Sequence, residues 1–203
     1  MSTPHIFDRA GLIAAFNAIG EAALANGTRL ELAVYGGAAM MLASNFRFAT
    51  EDVDIAEIEA PWPDWLVETV KSIAEQNRWA KDWLNEAVTF HLSPLADRAA
   101  DHIEFGSFPQ DGAPGLDIVV PTAPYLLALK LKAMRILDAV KGEREAADIR
   151  GLMASLAVDT EGAMEILRRY FPVSAADGGK QRFLLRHLGQ APEGESDAPR
   201  YGR

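Results

Sequence analysis

The chain of 203 residues contains no cysteine, so it can form neither a disulfide nor a thiolate metal site. Its four histidines have no short metal-ligand spacing, which argues against a zinc site. No N-terminal apolar run could serve as a signal peptide or membrane span, so we expect a cytoplasmic protein without a membrane partner. Basic residues are also few: 20 Lys and Arg stand against 29 Asp and Glu, leaving a formal charge of −9. A long nucleic acid would therefore need a local basic patch to bind.

Three common glycine motifs are absent as well. The sequence has no Gly-x-x-x-x-Gly-Lys-Ser/Thr, no Gly-x-Ser-x-Gly and no Gly-x-Gly-x-x-Gly. These absences remove the commonest explanations for glycines at a turn between a strand and a helix. The composition is 49% hydrophobic, which is enough to bury one good core. We therefore expect one domain with a helical extension.

A pair of glycines follows a predicted strand. Apolar and polar residues alternate over Leu30–Tyr35, which predicts a half-buried strand running into Gly36 and Gly37. A short helix is predicted over Ala38 to Ala43. The glycines would let the backbone approach a ligand closely, and the first amide groups of the helix could point at a phosphate. A tight turn without a ligand remains the alternative.

Two carboxylates lie close to this turn in the sequence. Asp52 and Asp54 alternate with Val53 and Ile55, which predicts a strand with both carboxylates on one face, about 7 Å apart at Cα. Hard oxygen ligands in this arrangement can share a Mg²⁺ ion, which takes further oxygens from a triphosphate. The sequence therefore predicts a nucleotide and magnesium site between residues 34 and 58.

The order of these parts resembles the nucleotidyltransferase-fold superfamily, whose motif is two small residues followed by Asp-x-Asp. The residues that match it are Gly36, Gly37, Asp52 and Asp54. Within the superfamily the chain is similar to small bacterial nucleotidyltransferase-like proteins related to the abortive-infection (type IV toxin) nucleotidyltransferases. The segments Pro124 to Ala133 and Ala147 to Arg150 are similar to that group's second half. One departure is that Arg47 lies three residues before Thr50, whereas the family places its arginine two before.

The resemblance implies an α+β fold in which a small mixed sheet carries the acids and a helical C-terminal portion follows. It also implies transfer of a nucleoside monophosphate from a nucleoside triphosphate to a hydroxyl acceptor, with Mg²⁺ held by Asp52 and Asp54. Gly36, Gly37 and Thr50 would contact the nucleotide. In the superfamily a third carboxylate from a neighbouring strand completes the metal site.

Asp117 is the candidate for this third acid. It lies within an apolar strand predicted over Leu116 to Val120, where a buried carboxylate would be costly without a partner. Either it faces solvent on an exposed strand, or it meets a cation. If the resemblance holds at this position, Asp117 is both catalytic and a metal ligand.

Lys130 is expected to be partly buried. On a helix that begins at Thr122 its neighbours one turn away are all apolar: Leu126, Leu127, Ala133 and Met134. A buried ammonium needs an anionic partner, although the side chain could instead extend to solvent. Relatives carry a lysine in this helix, which implies a contact with a phosphate or a carboxylate. Asp148 is the natural carboxylate partner.

The remaining pattern predicts the domain organisation. We expect residues 1–121 to form the core, residues 122–190 a helical portion packed on it, and residues 191–203 a disordered tail. A first helix is predicted up to Ala25, with Asp8 as its N-cap, and the helix after Thr122 is predicted to continue through Leu137. Further strands are predicted around Val88 to Leu92, His102 to Phe108 and Leu116 to Val120.

The hypothesis that follows is an Mg²⁺-dependent nucleotidyltransferase with an unknown acceptor on a small molecule, RNA or protein. One alternative is a protein that binds a nucleotide or a partner protein without turnover, and a missing third acid would favour it. A second alternative is a toxin-antitoxin component that acts on tRNA or on a protein hydroxyl. The sequence leaves the acceptor, the nucleobase and the oligomeric state open.

Overall fold

The computed structural model of the protein describes residues 6–56, 58, 61–133, 137–139, 141–188 and 199–202. Within them the chain is α+β, as the sequence predicts, with a mixed five-stranded sheet, a two-stranded sheet and eight α-helices. None of the helices in these ranges is both long enough and apolar enough to cross a membrane.

The strands are β1 (Phe7–Asp8), β2 (Leu30–Tyr35), β3 (Ala49–Thr50), β4 (Val53–Ala56), β5 (Leu84–Asn85), β6 (His102–Phe108) and β7 (Leu116–Pro121). The helices are α1 (Arg9–Ala25), α2 (Gly36–Ala43), α3 (Asp64–Asn77), α4 (Arg98–Asp101), α5 (Ala123–Ala133), α6 (Gly142–Ser155), α7 (Thr160–Tyr170) and α8 (Ala175–His187). The predicted cap of the first helix is confirmed, because the Asp8 side chain accepts a hydrogen bond from the Gly11 amide.

The chain forms two compact units. The sheet unit comprises the described parts of Met1–Ala43, Phe48–Phe90 and Ile103–Val120. The helical unit comprises those of Ser44–Arg47, His91–His102 and Pro121–Arg203. The boundary at Pro121 lies next to the one predicted after residue 121. Two short segments from the first half of the chain also belong to the helical unit, which no sequence pattern indicates.

The five-stranded sheet has the order β5-β4-β2-β7-β6. Its central strand β2 pairs antiparallel with β4 and parallel with β7, and β4 pairs parallel with β5. Every second residue of these strands points to the same face of the sheet. On one of the two faces these residues are apolar and buried. The buried residues on that face include Leu32, Val34, Val53, Ile55 and Ile118. This burial fixes which face of β4 its polar residues occupy.

Helix α1 approaches the backbone near the end of β6 closely. A Cβ on Gly20 would overlap the Phe108 carbonyl group, and a Cβ on Gly115 would overlap the Gly20 carbonyl oxygen. The rings of Phe16 and Phe108 lie 5.4 Å apart beside this crossing. The absence of a side chain at Gly20 is therefore what lets the helix and the strand ends meet.

Hydrogen bonds of hydroxyl groups hold the segment His91–His102 within the helical unit. The Ser93 hydroxyl donates to the Tyr170 carbonyl oxygen, and the Ser93 amide donates to the Tyr125 hydroxyl. The Tyr170 hydroxyl donates to Asp101 at 2.6 Å. Burial and this bond to Asp101 raise the pKa of Tyr170 to about 12. Contacts at both ends of the segment explain why it belongs with α5 and α7.

The strand predicted over Val88 to Leu92 is wrong, because Ala87–His91 forms a 3₁₀ helix. The Asn85 side chain accepts a hydrogen bond from the Ala87 amide, a capping contact that starts a helical turn. Phe90, which the strand prediction would bury on one face, is 92% exposed. The predicted end of the helix at Leu137 cannot be compared, because residues 134–136 lie outside the described ranges.

Most of the predicted tail, residues 191–198, also lies outside the described residues. The prediction of disorder finds no support at Arg200 and Tyr201. Tyr201 forms a β-bridge with Ser44, and the Arg200 amide donates to the Asn45 side chain at 2.7 Å.

Replacing Gly20 with alanine should destabilise the protein by about 2 kcal/mol, because the new methyl group displaces the Phe108 backbone rather than a flexible side chain. Gly179→Ala is the matched control, since a Cβ at Gly179 in α8 meets no atom within 4 Å. The control should be neutral or stabilise by up to about 1 kcal/mol. Urea unfolding of the two variants measures both effects, and equal shifts of their midpoints would contradict the close crossing.

Candidate functional site

The start of α2 lies against the Asp54 carboxylate. Helix α2 begins at Gly36, directly after β2, and Gly36 has a left-handed φ of +61°. Asp54 in β4 is paired with Tyr35, the last residue of β2. A Cβ on Gly36 would lie 2.5 Å from the Asp54 Oδ2 atom. Glycine is therefore required at Gly36 both for the backbone conformation and for the approach of the carboxylate.

The predicted alternation of burial around the acid pair is confirmed, although the strand begins only after Asp52. Val53 and Ile55 are fully buried, whereas Asp52 and Asp54 are half-exposed. Asp54 lies in β4 and Asp52 directly precedes that strand. They are two residues apart in the chain, and at this spacing two carboxylates of an extended segment can reach one small ligand.

Thr50 stabilises the backbone next to the acid pair. It is 1% exposed, and its hydroxyl donates to the Asp52 carbonyl oxygen at 3.1 Å. The hydroxyl is thus used inside the protein and holds the backbone of Asp52. We therefore regard Thr50 as a positioning residue and do not count it among the nucleotide contacts. Gly37, the second residue of α2, is half-exposed and follows Gly36 at the helix start.

Asp117 lies on the same face of the sheet as Asp54 but at the other end. In the strand pairing Asp117 is opposite Glu31, whereas Asp54 is opposite Tyr35 at the far end of β2. Four residues along a strand and two strands across it correspond to about 16 Å between the Cα atoms. The structure therefore does not bring Asp117 together with Asp52 and Asp54. The β7 residue that lies nearer to Asp54 along the strand direction is Val119, which is paired with Ala33 and has an apolar side chain.

Asp117 has a cation partner within the sheet unit. Its two carboxylate oxygens lie 2.5 and 2.9 Å from the Arg29 guanidinium, and the Ser107 hydroxyl donates to it at 2.7 Å. The hydrogen bonds from Arg29 hold the pKa of Asp117 below its ordinary value. The charge inside the apolar strand is thus compensated by a guanidinium, and this explains its presence without a metal ion.

Lys130 has the carboxylate partner that its apolar surroundings predicted. Its side chain is 8% exposed, and Nζ lies 2.7 Å from Asp148 and 3.1 Å from Glu145. Both carboxylates belong to α6, whereas Lys130 belongs to α5. The ammonium thus has two carboxylate partners inside the helical unit, and we do not count it among the contacts of a triphosphate.

Arg47, which the sequence singled out only by its spacing from Thr50, completes this buried cluster. One terminal nitrogen of Arg47 lies 2.9 and 2.7 Å from the two oxygens of Asp148. The Asp148 side chain is 3% exposed and therefore bridges two cations, Arg47 and Lys130. The signal in the sequence was the charge of Arg47 among apolar neighbours, but nothing local indicated a partner 101 residues away. We name the four residues Arg47, Lys130, Glu145 and Asp148 the ionic cluster.

Asn85 is a residue that the sequence analysis missed. It is the β5 residue paired with Asp54, so the two side chains lie side by side on one face of the sheet. Its carbonyl oxygen accepts the Ala87 amide, and its amide group lies 3.4 Å from the Asp82 carbonyl oxygen. Asn85 therefore borders the acid pair while it caps the following 3₁₀ helix.

The acid pair suits Mg²⁺ by its donor chemistry. Among the residues that the structure describes, no group of three or more His, Asp or Glu side chains is placed to hold a metal ion. Asp52 and Asp54 are two half-exposed carboxylates. Mg²⁺ is commonly bound by one or two protein carboxylates, with waters and substrate phosphates completing its octahedron. Two acids are therefore sufficient for an ion that arrives with a triphosphate.

Comparisons with known proteins add no family: no protein-family model matches the chain, and neither a characterised protein nor a solved structure is significantly similar to it. The resemblance to the nucleotidyltransferase-fold superfamily therefore depends on the motif residues and their arrangement alone.

Gly36→Ala should destabilise the protein more than Gly27→Ala. Both glycines have φ near +60°, so alanine costs about 1 to 2 kcal/mol of backbone strain at either position. A Cβ at Gly27 meets no atom within 4 Å, whereas one at Gly36 meets the Asp54 carboxylate. The excess should disappear when Gly36→Ala is combined with Asp54→Ala, and thermal unfolding of the double-mutant cycle measures it. An additive cycle would mean that the two groups do not touch.

Asp148→Asn should destabilise the protein by about 3 to 5 kcal/mol, because it leaves two buried cations with a single carboxylate. Arg29→Gln, which breaks the exposed ion pair with Asp117, should cost only a small fraction of this. Urea unfolding midpoints compare the two variants. Similar midpoints would contradict the central position of Asp148 in the ionic cluster.

Proposed function

We propose that this protein binds a nucleoside triphosphate with Mg²⁺ at Asp52, Asp54 and the start of α2, and that it transfers the nucleoside monophosphate to a hydroxyl acceptor. The observation that carries the proposal is the contact of Asp54 with Gly36. It brings a carboxylate next to helix amide groups that have no partner within the helix. A site with both an acidic and an amide side suits a ligand that combines a cation with phosphates.

The amide side would bind the phosphates of the triphosphate. Gly36 and Gly37 are half-exposed at the N-terminus of α2, where the peptide dipoles favour a negative charge. Neither residue has a side chain that would keep a phosphate from the backbone. The acid side, Asp52 and Asp54, would hold Mg²⁺. The ion would offset the negative charge of the phosphates, which two carboxylates alone would repel.

In the proposed reaction the oxygen of the acceptor hydroxyl forms a bond to the α phosphorus, and the bond from that phosphorus to the bridging oxygen breaks. Pyrophosphate leaves with the electron pair of the broken bond. The residues at the start of α2 would orient the β and γ phosphates as the leaving group. The hydroxyl proton passes to solvent or to a base on the acceptor side.

A second candidate function is nucleotide binding without transfer, as in a regulatory or toxin-antitoxin component with a degenerate site. The position of Asp117 favours it, because this acid is bound to Arg29 at the far end of β2 from Asp54. A pair of acids is enough to bind a nucleotide with its ion, whereas the superfamily uses a third acid for the transfer.

Replacing both Asp52 and Asp54 with asparagine should abolish Mg²⁺-dependent ATP binding and leave the fold intact, because both side chains are half-exposed. The control is Asp82→Asn with Asp111→Asn, which removes the same charge from two exposed positions. Isothermal titration calorimetry with ATP, with and without Mg²⁺, measures the affinity, and circular dichroism checks the fold. Equal affinities for the two double variants would refute the site.

Transfer and binding are separated by incubating the protein with each of the four labelled nucleoside triphosphates and Mg²⁺. Transfer predicts pyrophosphate release and label on protein, RNA or a small molecule from a bacterial extract, and both should be lost in the Asp52 and Asp54 variant. Binding without either product would establish the second candidate function.

A further inference from the structure

Strand β5 places Asn85 directly beside Asp54. Strands β4 and β5 run parallel, and their register pairs Asp54 with Asn85. The same register pairs Val53 with Leu84, and these two residues are buried on the apolar face of the sheet. Because side chains alternate along a strand, Asp54 and Asn85 share the opposite face, where both are half-exposed. Neighbouring strands lie about 4.8 Å apart, so the two side chains are adjacent.

Two backbone groups orient the Asn85 side chain. Its carbonyl oxygen accepts the Ala87 amide at 3.0 Å, and its amide nitrogen lies 3.4 Å from the Asp82 carbonyl oxygen. The Ala87 amide can only donate, so it identifies the side-chain oxygen. Asp82 precedes β5, so the amide nitrogen is turned toward the start of that strand. Since β4 runs parallel to β5, Asp52 lies at this same end, and the nitrogen is on the side of the acid pair.

The Asn85 nitrogen can donate to a bound ligand. A side-chain amide has two N–H donors. Within the described part of the chain the nitrogen has one acceptor, the Asp82 carbonyl oxygen, and that bond is long. Mg²⁺ lies about 2.1 Å from its oxygen ligands, and an N–H···O bond spans about 2.9 Å. A phosphate oxygen on an ion held by Asp54 would therefore be within reach of a donor one strand away.

The order of the strands indicates which phosphate this donor meets. The sheet runs β5-β4-β2, so β2 and the start of α2 lie on one side of Asp54 and Asn85 lies on the other. All of these parts belong to the sheet unit. In the proposed function the start of α2 holds the β and γ phosphates, and the ion lies at Asp54. The β5 side is then left for the α phosphate, which carries the nucleoside.

We propose that the Asn85 amide donates a hydrogen bond to an oxygen of the α phosphate, and that this contact makes the site prefer a nucleoside triphosphate to inorganic pyrophosphate. Pyrophosphate supplies only the two phosphates that the start of α2 would hold. The inference rests on the proposed function, because it takes the places of the ion and of the β and γ phosphates from it. Asn85 is thus a ligand-binding residue as well as the cap of the 3₁₀ helix.

The test is Asn85→Ser, which removes the amide donor without adding a charge. Serine keeps an oxygen that can cap the Ala87 amide, but its side chain is too short to reach the phosphate. Isothermal titration calorimetry with Mg²⁺ compares ATP with pyrophosphate. We expect the affinity for ATP to fall at least about tenfold, as for the loss of a hydrogen bond to a charged group, and the affinity for pyrophosphate to stay the same. An equal loss for both ligands would show a structural role and overturn the proposal.

A second variant, Asn85→Asp, keeps the oxygen for the Ala87 amide and replaces the donor with a negative charge. The affinity for ATP should fall further than in Asn85→Ser, because the carboxylate would repel the α phosphate. Asn77→Asp is the matched control: it adds the same charge at an exposed position of α3 and also removes an amide donor, the one to the Ile73 carbonyl oxygen. Tighter binding of ATP by Asn85→Asp would assign this position to the ion and overturn the proposal.

The same titrations separate this inference from the proposed function. If the unaltered protein binds ATP, the variant with asparagine at positions 52 and 54 does not, and Asn85→Ser binds ATP like the unaltered protein, then only the role of Asn85 is wrong. If the unaltered protein binds no ATP with Mg²⁺, both the proposed function and the role of Asn85 are wrong.

Discussion

The helical unit depends most on the two ion pairs of the Asp148 carboxylate. It binds Lys130 from the neighbouring helix and Arg47 from a segment 101 residues earlier in the chain. With Glu145 it gives a cluster of two cations and two anions, so the burial of each charge is compensated within hydrogen-bonding distance. The position of the loop after α2 is thereby tied to the packing of α5 against α6.

The acid pair in the sheet unit depends on steric constraints of another kind. The buried face of β4 fixes which side Asp54 occupies, and Thr50 holds the backbone of Asp52 by one hydrogen bond. Gly36 leaves the space that the Asp54 carboxylate fills. Each constraint is local, and together they place the Asp54 carboxylate beside the start of a helix and hold the backbone of Asp52. A similar acid at the other end of the sheet, Asp117, is instead neutralised by Arg29.

The sequence pattern predicts those features of the fold that contacts between residues close in sequence determine. Alternation was sufficient for β2, β4 and β7, and the apolar neighbours of Lys130 were sufficient to predict its carboxylate partner. The pattern could not give the position of Asp117 along the strand direction relative to Asp54. This position follows from the register between β2 and β7, two strands that are far apart in sequence. The pattern also failed at Val88, because a single capping contact from Asn85 outweighed the strand propensity of the residues that follow. The partner of Arg47 could not be predicted either, because Asp148 is also far from it in sequence.

The pairing of β2 has a consequence for the order in which the chain can fold. Its partner on one side, β4, follows after a short helix, but its partner on the other side is distant, and Arg29 beside β2 meets Asp117 across 88 residues. A chain leaving the ribosome therefore carries β2 with an open edge until β7 has been made. The contact between Asn45 and Arg200 forms later still, since it spans 155 residues. Contacts of this range make folding slow compared with a helical protein of the same size.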